Sequence, residues 1–205
     1  RNYIALGHPD VVVNVVDATA LERNLFFTLQ LIEMQVPLVL AINLVDIAKK
    51  KGITINYTRL SKIFGIPVVE TIATKGIGVH EIIDQALELA KKEKKVTQSK
   101  IQYGLEIEKR IELLEFELKQ IDLKYPLRWI AIKLLEEDLE IINLVKEKAP
   151  LIVEKAQKFS KEIEQIHKEP CTTVITSERY AIASRIVAKI QTHEQPTKLS
   201  WSERL

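Results

Sequence analysis

Residues 11–46 read VVVNVVDATALERNLFFTLQLIEMQVPLVLAINLVD. The run Val11–Val16 is dominated by β-branched side chains, the pattern of a strand buried on both faces of a parallel sheet. Leu21 to Met34 then places Leu25, Phe26, Leu29 and Ile32 at helical spacing. Pro37 stops that helix and opens a second apolar run, Leu38–Ile42. A strand, a helix and a second strand of this kind form a crossover unit, which predicts parallel strands with right-handed connections.

Working outward, the same alternation continues. Thr58–Phe64 is a short helix ended by Gly65, and Ile66–Val69 is a third strand. His80–Lys92 is a helix with Ile82, Ile83, Ala86, Leu87 and Ala90 on one side. Three strands are few for an open sheet covered by helices, and Arg1–Pro9 reads as a helix end and a turn. The first half is therefore expected to be the second part of a larger α/β domain.

Past residue 96 the text turns to Glu, Lys, Ile and Leu, with Gly104 the only glycine. Ser99 and Gln102 predict a capping box. A helix carrying Ile107, Ile111, Leu114, Leu118 and Ile121 follows. Pro126 ends it and starts another with Trp129, Ile132 and Leu135. Helices at Leu139–Lys146 and Leu151–Ile166, a break at Pro170, and a last helix at Glu178–Ile190 complete a small bundle. The expected fold is α/β followed by all-α. Residues 1–95 form the sheet domain, 96–100 a linker, 101–198 the helical domain and 199–205 a tail.

The 205 residues are 46% hydrophobic and 28% charged, the composition of a folded globular chain and not a disordered one. One cysteine, Cys171, excludes an internal disulfide framework and a multi-cysteine zinc site. Four histidines, at positions 8, 80, 167 and 193, show no metal-ligand spacing. A net charge of +2 gives no electrostatic footprint for nucleic acid. The best apolar run, Leu31–Ile42, is too short and too polar to span a bilayer. The first ten residues hold no apolar stretch of the kind a secretory leader carries.

Ligands of α/β sheets bind beyond the carboxyl ends of the strands. The second strand is followed by Asn43, Leu44, Val45 and Asp46, an Asn and an Asp three apart, matching the guanine-recognition signature of GTPases. A carboxylate can accept from both the ring N–H and the exocyclic amine of guanine. Adenine presents no such donor pair and would leave a buried acid unsatisfied. Charge-assisted hydrogen bonds contribute about 1.5–3 kcal/mol each, enough for strong base selection. The third strand is followed by Thr71, Ile72, Ala73, Thr74, Lys75 and Gly76, which fit a lid over the base. There the Ala73 N–H is expected to donate to the guanine carbonyl, with Lys75 lying along the ring. No Gly-x-x-x-x-Gly-Lys-Ser/Thr string and no strand-end Asp-x-x-Gly occurs in the chain. The residues that would cradle phosphate and Mg²⁺ are thus not among these 205, and no catalytic residue is assigned.

The stretch Asp17, Ala18, Thr19, Leu21, Glu22, Arg23, Asn24, Leu25, Thr28, Leu29, Gln30, Leu31 resembles the G domain of the ferrous iron transport protein B (FeoB) family. Tyr125, Pro126, Arg128, Trp129, Ala131, Lys133, Leu134 and Leu135, with Glu178, Arg179 and Tyr180, resemble that family's helical domain, often likened to a dissociation inhibitor. The resemblance implies a P-loop GTPase-like sheet, of which only the second part is here, followed by a helical bundle. It also implies a regulatory GTP/GDP-binding module at the cytoplasmic face of the cell membrane, joined to an Fe²⁺-transporting membrane domain of the same polypeptide and open to self-association. By that resemblance Asn43 and Asp46 recognise the base and Ala73, Thr74 and Lys75 form the last nucleotide loop. GTP hydrolysis and Mg²⁺ are expected only of the intact domain. Leu44 departs from the lysine usual in GTPases, keeping an apolar cover over the base and losing a charge.

Two other readings stand beside this one. The chain could be a nucleotide-free helical adaptor with a scaffold α/β remnant, or an ATPase of related architecture, which Asp46 disfavours. Elsewhere, Glu22, Arg23 and Asn24 are expected at a solvated helix start and Trp129 in the core. Arg128 is expected to pair with an acid, including one across the two domains. Cys171 is expected to be an inert packed thiol, and Lys91–Lys95 a solvated helix end.

Overall fold

The computed structural model describes Ile4, Gly7, residues 9–91 and residues 99–193. Most of Arg1–Pro9, residues 96–98 of the expected linker, Lys92–Lys95 and the tail at 199–205 lie outside the described residues.

Strand β1 (Val12–Asp17), helix α1 (Leu21–Glu33) and strand β2 (Leu38–Asn43) form the expected unit, with β1 and β2 parallel and Val12 opposite Leu38. Strand β4 (Val68–Glu70) joins the far edge of β2, giving the parallel order β1-β2-β4. Asn14 Nδ2 donates to Thr28 Oγ1 at 2.8 Å, both side chains being buried, which fastens α1 to one sheet face. Leu21, Leu25, Leu29 and Ile32 fill that contact, as their i, i+4 spacing requires. Gln35 ends α1 in a left-handed conformation at φ 52°, and Pro37 prevents continuation. Helix α4 (Val79–Lys91) packs on β1 and β2. On β1, Val13 and Val15 alternate away from the α1 face and are 42% and 60% exposed. The outer edge of β1 has no partner among the described residues.

Three elements were not legible in the pattern. Helix α2 (Val45–Lys50) and strand β3 (Ile53–Ile55) follow β2, ahead of the expected helix α3 (Tyr57–Phe64). Strand β5 (Gln191–His193) pairs antiparallel with β3. Against the three strands expected, the described residues form five, in a parallel sheet and a separate two-stranded ribbon.

The helical part consists of α5 (Leu105–Leu118), α6 (Leu127–Leu135), α7 (Leu139–Lys146), α8 (Pro150–His167) and α9 (Cys171–Ile190). Three expectations are corrected here. Ser99 and Gln102 form no cap: Ser99 N donates to Phe64 O at 2.9 Å, and residues 99–104 lie outside any helix or strand. Ile101 and Tyr103 point inward and Gln102 outward, a period of two that suits an extended chain. Ile121 lies in the turn beyond α5, not within it. The last helix begins at Cys171, seven residues before Glu178, with Pro170 as its N-cap residue.

Arg128 pairs within the helical part. Its Nη1 donates to Glu108 Oε2 at 2.9 Å and its Nη2 reaches Glu108 and the Ile101 carbonyl. The ion pair that crosses between the halves belongs to Arg179, 2% exposed, whose Nε and Nη2 donate to both oxygens of Glu33 at 3.0 Å. Its Nη1 also meets Glu136, and the Tyr103 hydroxyl meets Glu33. The neighbouring carboxylates and Tyr103 hold the Arg179 guanidinium firmly protonated against the opposing effect of burial, and burial beside Glu33 pushes the Tyr103 hydroxyl well up. Burial opposes ionisation of Glu136, but Arg179 and Lys133 hold its carboxyl below the usual range. Trp129 is buried as expected, and one continuous apolar core runs from β2 and α1 into α6, α8 and α9. Burial pushes the Cys171 thiol up to about 11, the behaviour of a packed, unreactive side chain.

Candidate functional site

The candidate site lies where β2 and β4 end. Asn43 is the last residue of β2, level with Asp17 on β1. Leu44 then takes a left-handed conformation at φ 61° and serves as N-cap of α2, its carbonyl accepting from Ile47 and Ala48 at 3.1 and 3.0 Å. A non-glycine residue in this region costs on the order of 1–3 kcal/mol and is held only where its surroundings demand it. Here the tight reversal turns the chain directly into α2 and sets Asp46 in the helix's first turn.

After β4, Thr71 N donates to Ile42 O at 2.8 Å, keeping the chain beside β2. Ala73–Lys75 form a 3₁₀ turn pinned by the pairing of Ile72 with Ile77. Gly78, at φ 80°, closes the loop: a Cβ there would meet Glu70 O at 2.1 Å. Glycine is required at that position on both conformational and steric grounds.

Asn43 ties the two strand ends together. Its Oδ1 accepts from Thr71 Oγ1 at 3.2 Å and from Ala73 N at 3.1 Å. Two donors on one oxygen fix which way the amide faces, leaving Nδ2 without a protein acceptor among the described residues. Asp46 is 26% exposed, and the nearest cation, Lys75 Nζ, is 4.0 Å from Oδ2, beyond hydrogen-bond reach. Lys75, 62% exposed, stands across the mouth of the site. The carboxylate thus keeps acceptor capacity free, which suits a ligand presenting adjacent N–H donors, and the Asn43 amide supplies a donor beside it. An acceptor pair with one donor beside it is complementary to the edge of guanine, which presents two N–H donors and a carbonyl acceptor.

All five residues singled out from the sequence, Asn43, Asp46, Ala73, Thr74 and Lys75, come from the two neighbouring strand ends. The Ala73 N–H, expected on the guanine carbonyl, is given to Asn43 in this structure, so it would have to be shared or released to serve a base. Thr71 was not singled out. It is 2% exposed and orients the Asn43 amide, yet a lone threonine after a strand carries no distinguishing signal in sequence. Among the described residues no group of three or more His, Cys, Asp or Glu side chains is placed to hold a metal ion, and no helix is long and apolar enough to cross a membrane.

Comparison with known proteins agrees with this architecture. Residues 1–86 match the family described as ferrous iron transport protein B, and residues 103–192 match the FeoB cytosolic helical domain. An Fe(2+) transport protein A/Fe(2+) transporter FeoB fusion protein of Porphyromonas gingivalis is 39% identical over 180 residues, covering 84% of this chain and 21% of the relative. The Fe(2+) transporter FeoB of Salmonella typhimurium is 34% identical over 140 residues, covering 67% and 18%. The chain thus spans about a fifth of the length of the curated relatives it matches. Among solved structures, a GDP-bound mutant of S. thermophilus NFeoB superposes with a TM-score of 0.83 at 30% identity, covering 94% of this chain and 73% of that one. The mGMPPNP-bound NFeoB of S. thermophilus gives 0.79 at 31%, covering 96% and 73%. The T. maritima FeoB cytosolic domain in a GDP form gives 0.75 at 27%, covering 94% and 72%. With both halves matched in order, the chain belongs to the FeoB family of ferrous iron transport proteins, as part of the cytosolic G domain followed by the helical domain.

Proposed function

We propose that this chain supplies the base-recognition half and the helical domain of a guanine-nucleotide-binding module that regulates a ferrous iron transporter from the cytoplasmic face of the membrane. Asp46 accepts from the guanine ring N–H and amine. Asn43 holds the two loops and offers Nδ2 to the base edge. Ala73, Thr74 and Lys75 form the loop over it. The observation that carries this reading is the Asp46 carboxylate, open at the mouth of two loops that Asn43 joins. It is supported by the GDP and mGMPPNP present in the related S. thermophilus domains. Phosphate, Mg²⁺ and switch contacts, and with them GTP hydrolysis, would come from residues outside these 205. The helical domain would pass the nucleotide state to a membrane domain of the same polypeptide, with self-association a further property of the assembled transporter.

The test is Asp46→Asn in a protein carrying these residues together with a phosphate-binding loop. Replacing the acceptor by an amide donor should move preference from GDP toward XDP by at least tenfold, measured by competition against a fluorescent nucleotide. An unchanged preference would overturn the base-site assignment. Absence of saturable GDP binding up to millimolar concentration would favour the helical-adaptor role, and equal affinity for ADP and GDP would favour an adenine-tolerant site.

A further inference from the structure

The loop that presents Asp46 and the end of helix α9 are joined by a short path through one hydrogen-bonded ribbon. From Asp46, helix α2 runs to Lys50, Gly52 turns at φ 72°, and β3 begins at Ile53. Ile53, Thr54 and Ile55 pair with His193, Thr192 and Gln191. Asn56 N extends the ladder by donating to Ile190 O at 2.7 Å. β5 follows the twenty-residue helix α9 with no intervening loop, the chain passing to extended geometry at Gln191 (φ −110°, ψ 135°). At its other end α2 buries Val45 and Ala48 and packs against the Ala18–Ala20 turn beneath the candidate site.

The elements in this path differ in stiffness. α9 is fastened by the Arg179–Glu33 pair and by the stacking of Phe26 on Tyr180 with ring centroids 4.4 Å apart. The ribbon is only three residue pairs long, and its strands differ: Ile53 and Ile55 anchor β3 in the core, whereas Thr192 and His193 of β5 are exposed, which leaves β5 the marginal strand. A marginal element between two fixed ones is where a small bias at one end changes the population at the other.

We infer that the β3–β5 ribbon couples occupancy of the base site to the pairing of β5 at the end of α9. A nucleotide bound to Asp46, in the first turn of α2, favours the paired ribbon. Loss of the nucleotide favours an unpaired β5. Coupling of this kind is reciprocal, so freeing β5 weakens nucleotide binding. The inference rests on the base-site reading above.

Two measurements test it, both on a protein carrying these residues with a phosphate-binding loop and the polypeptide beyond His193. The first is amide hydrogen exchange of residues 191–193 with and without GDP. Saturating GDP should slow exchange there by at least threefold. The second is Thr192→Pro. Strand alternation from the Asn56–Ile190 bond makes Thr54 and Thr192 a hydrogen-bonded pair, so proline removes a ladder donor, and the Thr192 side chain is exposed. This variant should bind GDP three- to tenfold more weakly, with an unchanged preference for GDP over XDP and unchanged helical circular dichroism. If GDP binds with the guanine preference that Asp46 gives, yet protection and affinity stay the same in both measurements, the coupling is overturned and the base site stands. If the guanine preference is itself absent, the base-site reading fails, and the coupling with it.

Discussion

Thr71 places its hydroxyl on Asn43 Oδ1 from a fully buried position. Thr71→Val keeps the shape and removes that donor, leaving the Ala73 N–H alone to orient the amide. Since a net hydrogen bond contributes about 0.5–1.5 kcal/mol, GDP affinity should fall up to about tenfold, and Thr71→Ser should restore most of it, both read by competition binding. The placement of Asn43 and Asp46 beyond a strand end was legible because the proposed chemistry is tied to a spacing and to that strand end. Thr71 was not, because its role depends on β4 lying beside β2, a fact of pairing and not of local sequence. Leu44 shows the same limit. Its left-handed conformation (φ 61°) has no glycine or asparagine to announce it and is imposed by the turn into α2.

At the scale of elements, helices with clean apolar periodicity were found close to their observed limits, as in α1, α3 and α8. α9 was read too short because its first turns hold the β-branched run Thr172, Thr173, Val174, Ile175 and Thr176, which are weak helix formers; Arg179 sits in its apolar stripe between Ile175 and Ile182. The polar residue is buried because Glu33 on α1 meets it there. Replacing Arg179 by Met should destabilise the protein by about 3–5 kcal/mol, since it strands Glu33 uncompensated in the core. Changing Glu33 to Gln at the same time should recover part of that loss, both read by urea denaturation. β3 and β5 escaped notice for a different reason: three residues are too few to display alternation, and their partners are more than a hundred positions apart in sequence.

Among the described residues the two parts are joined by a shared apolar core, a buried ion-pair network and the β3–β5 ribbon. Composition had separated a sheet half from a helical half, and the alternation of strand and helix had shown which strands lie parallel. It could not show that the halves share a core, because the contacts are made by residues that each half would bury on its own account. Strand β1 has a further consequence at this scale. Its outer edge, unpaired among the described residues, and its exposed Val13 and Val15 form an open template, with no lysine or proline within the strand to guard it. Solutions of these 205 residues should become turbid and gain thioflavin-binding fibrils as concentration rises. Val15→Lys should suppress this while shifting thermal unfolding little, because the side chain is 60% exposed. Solubility on storage, a property remote from nucleotide or iron, thus depends on an uncovered strand edge.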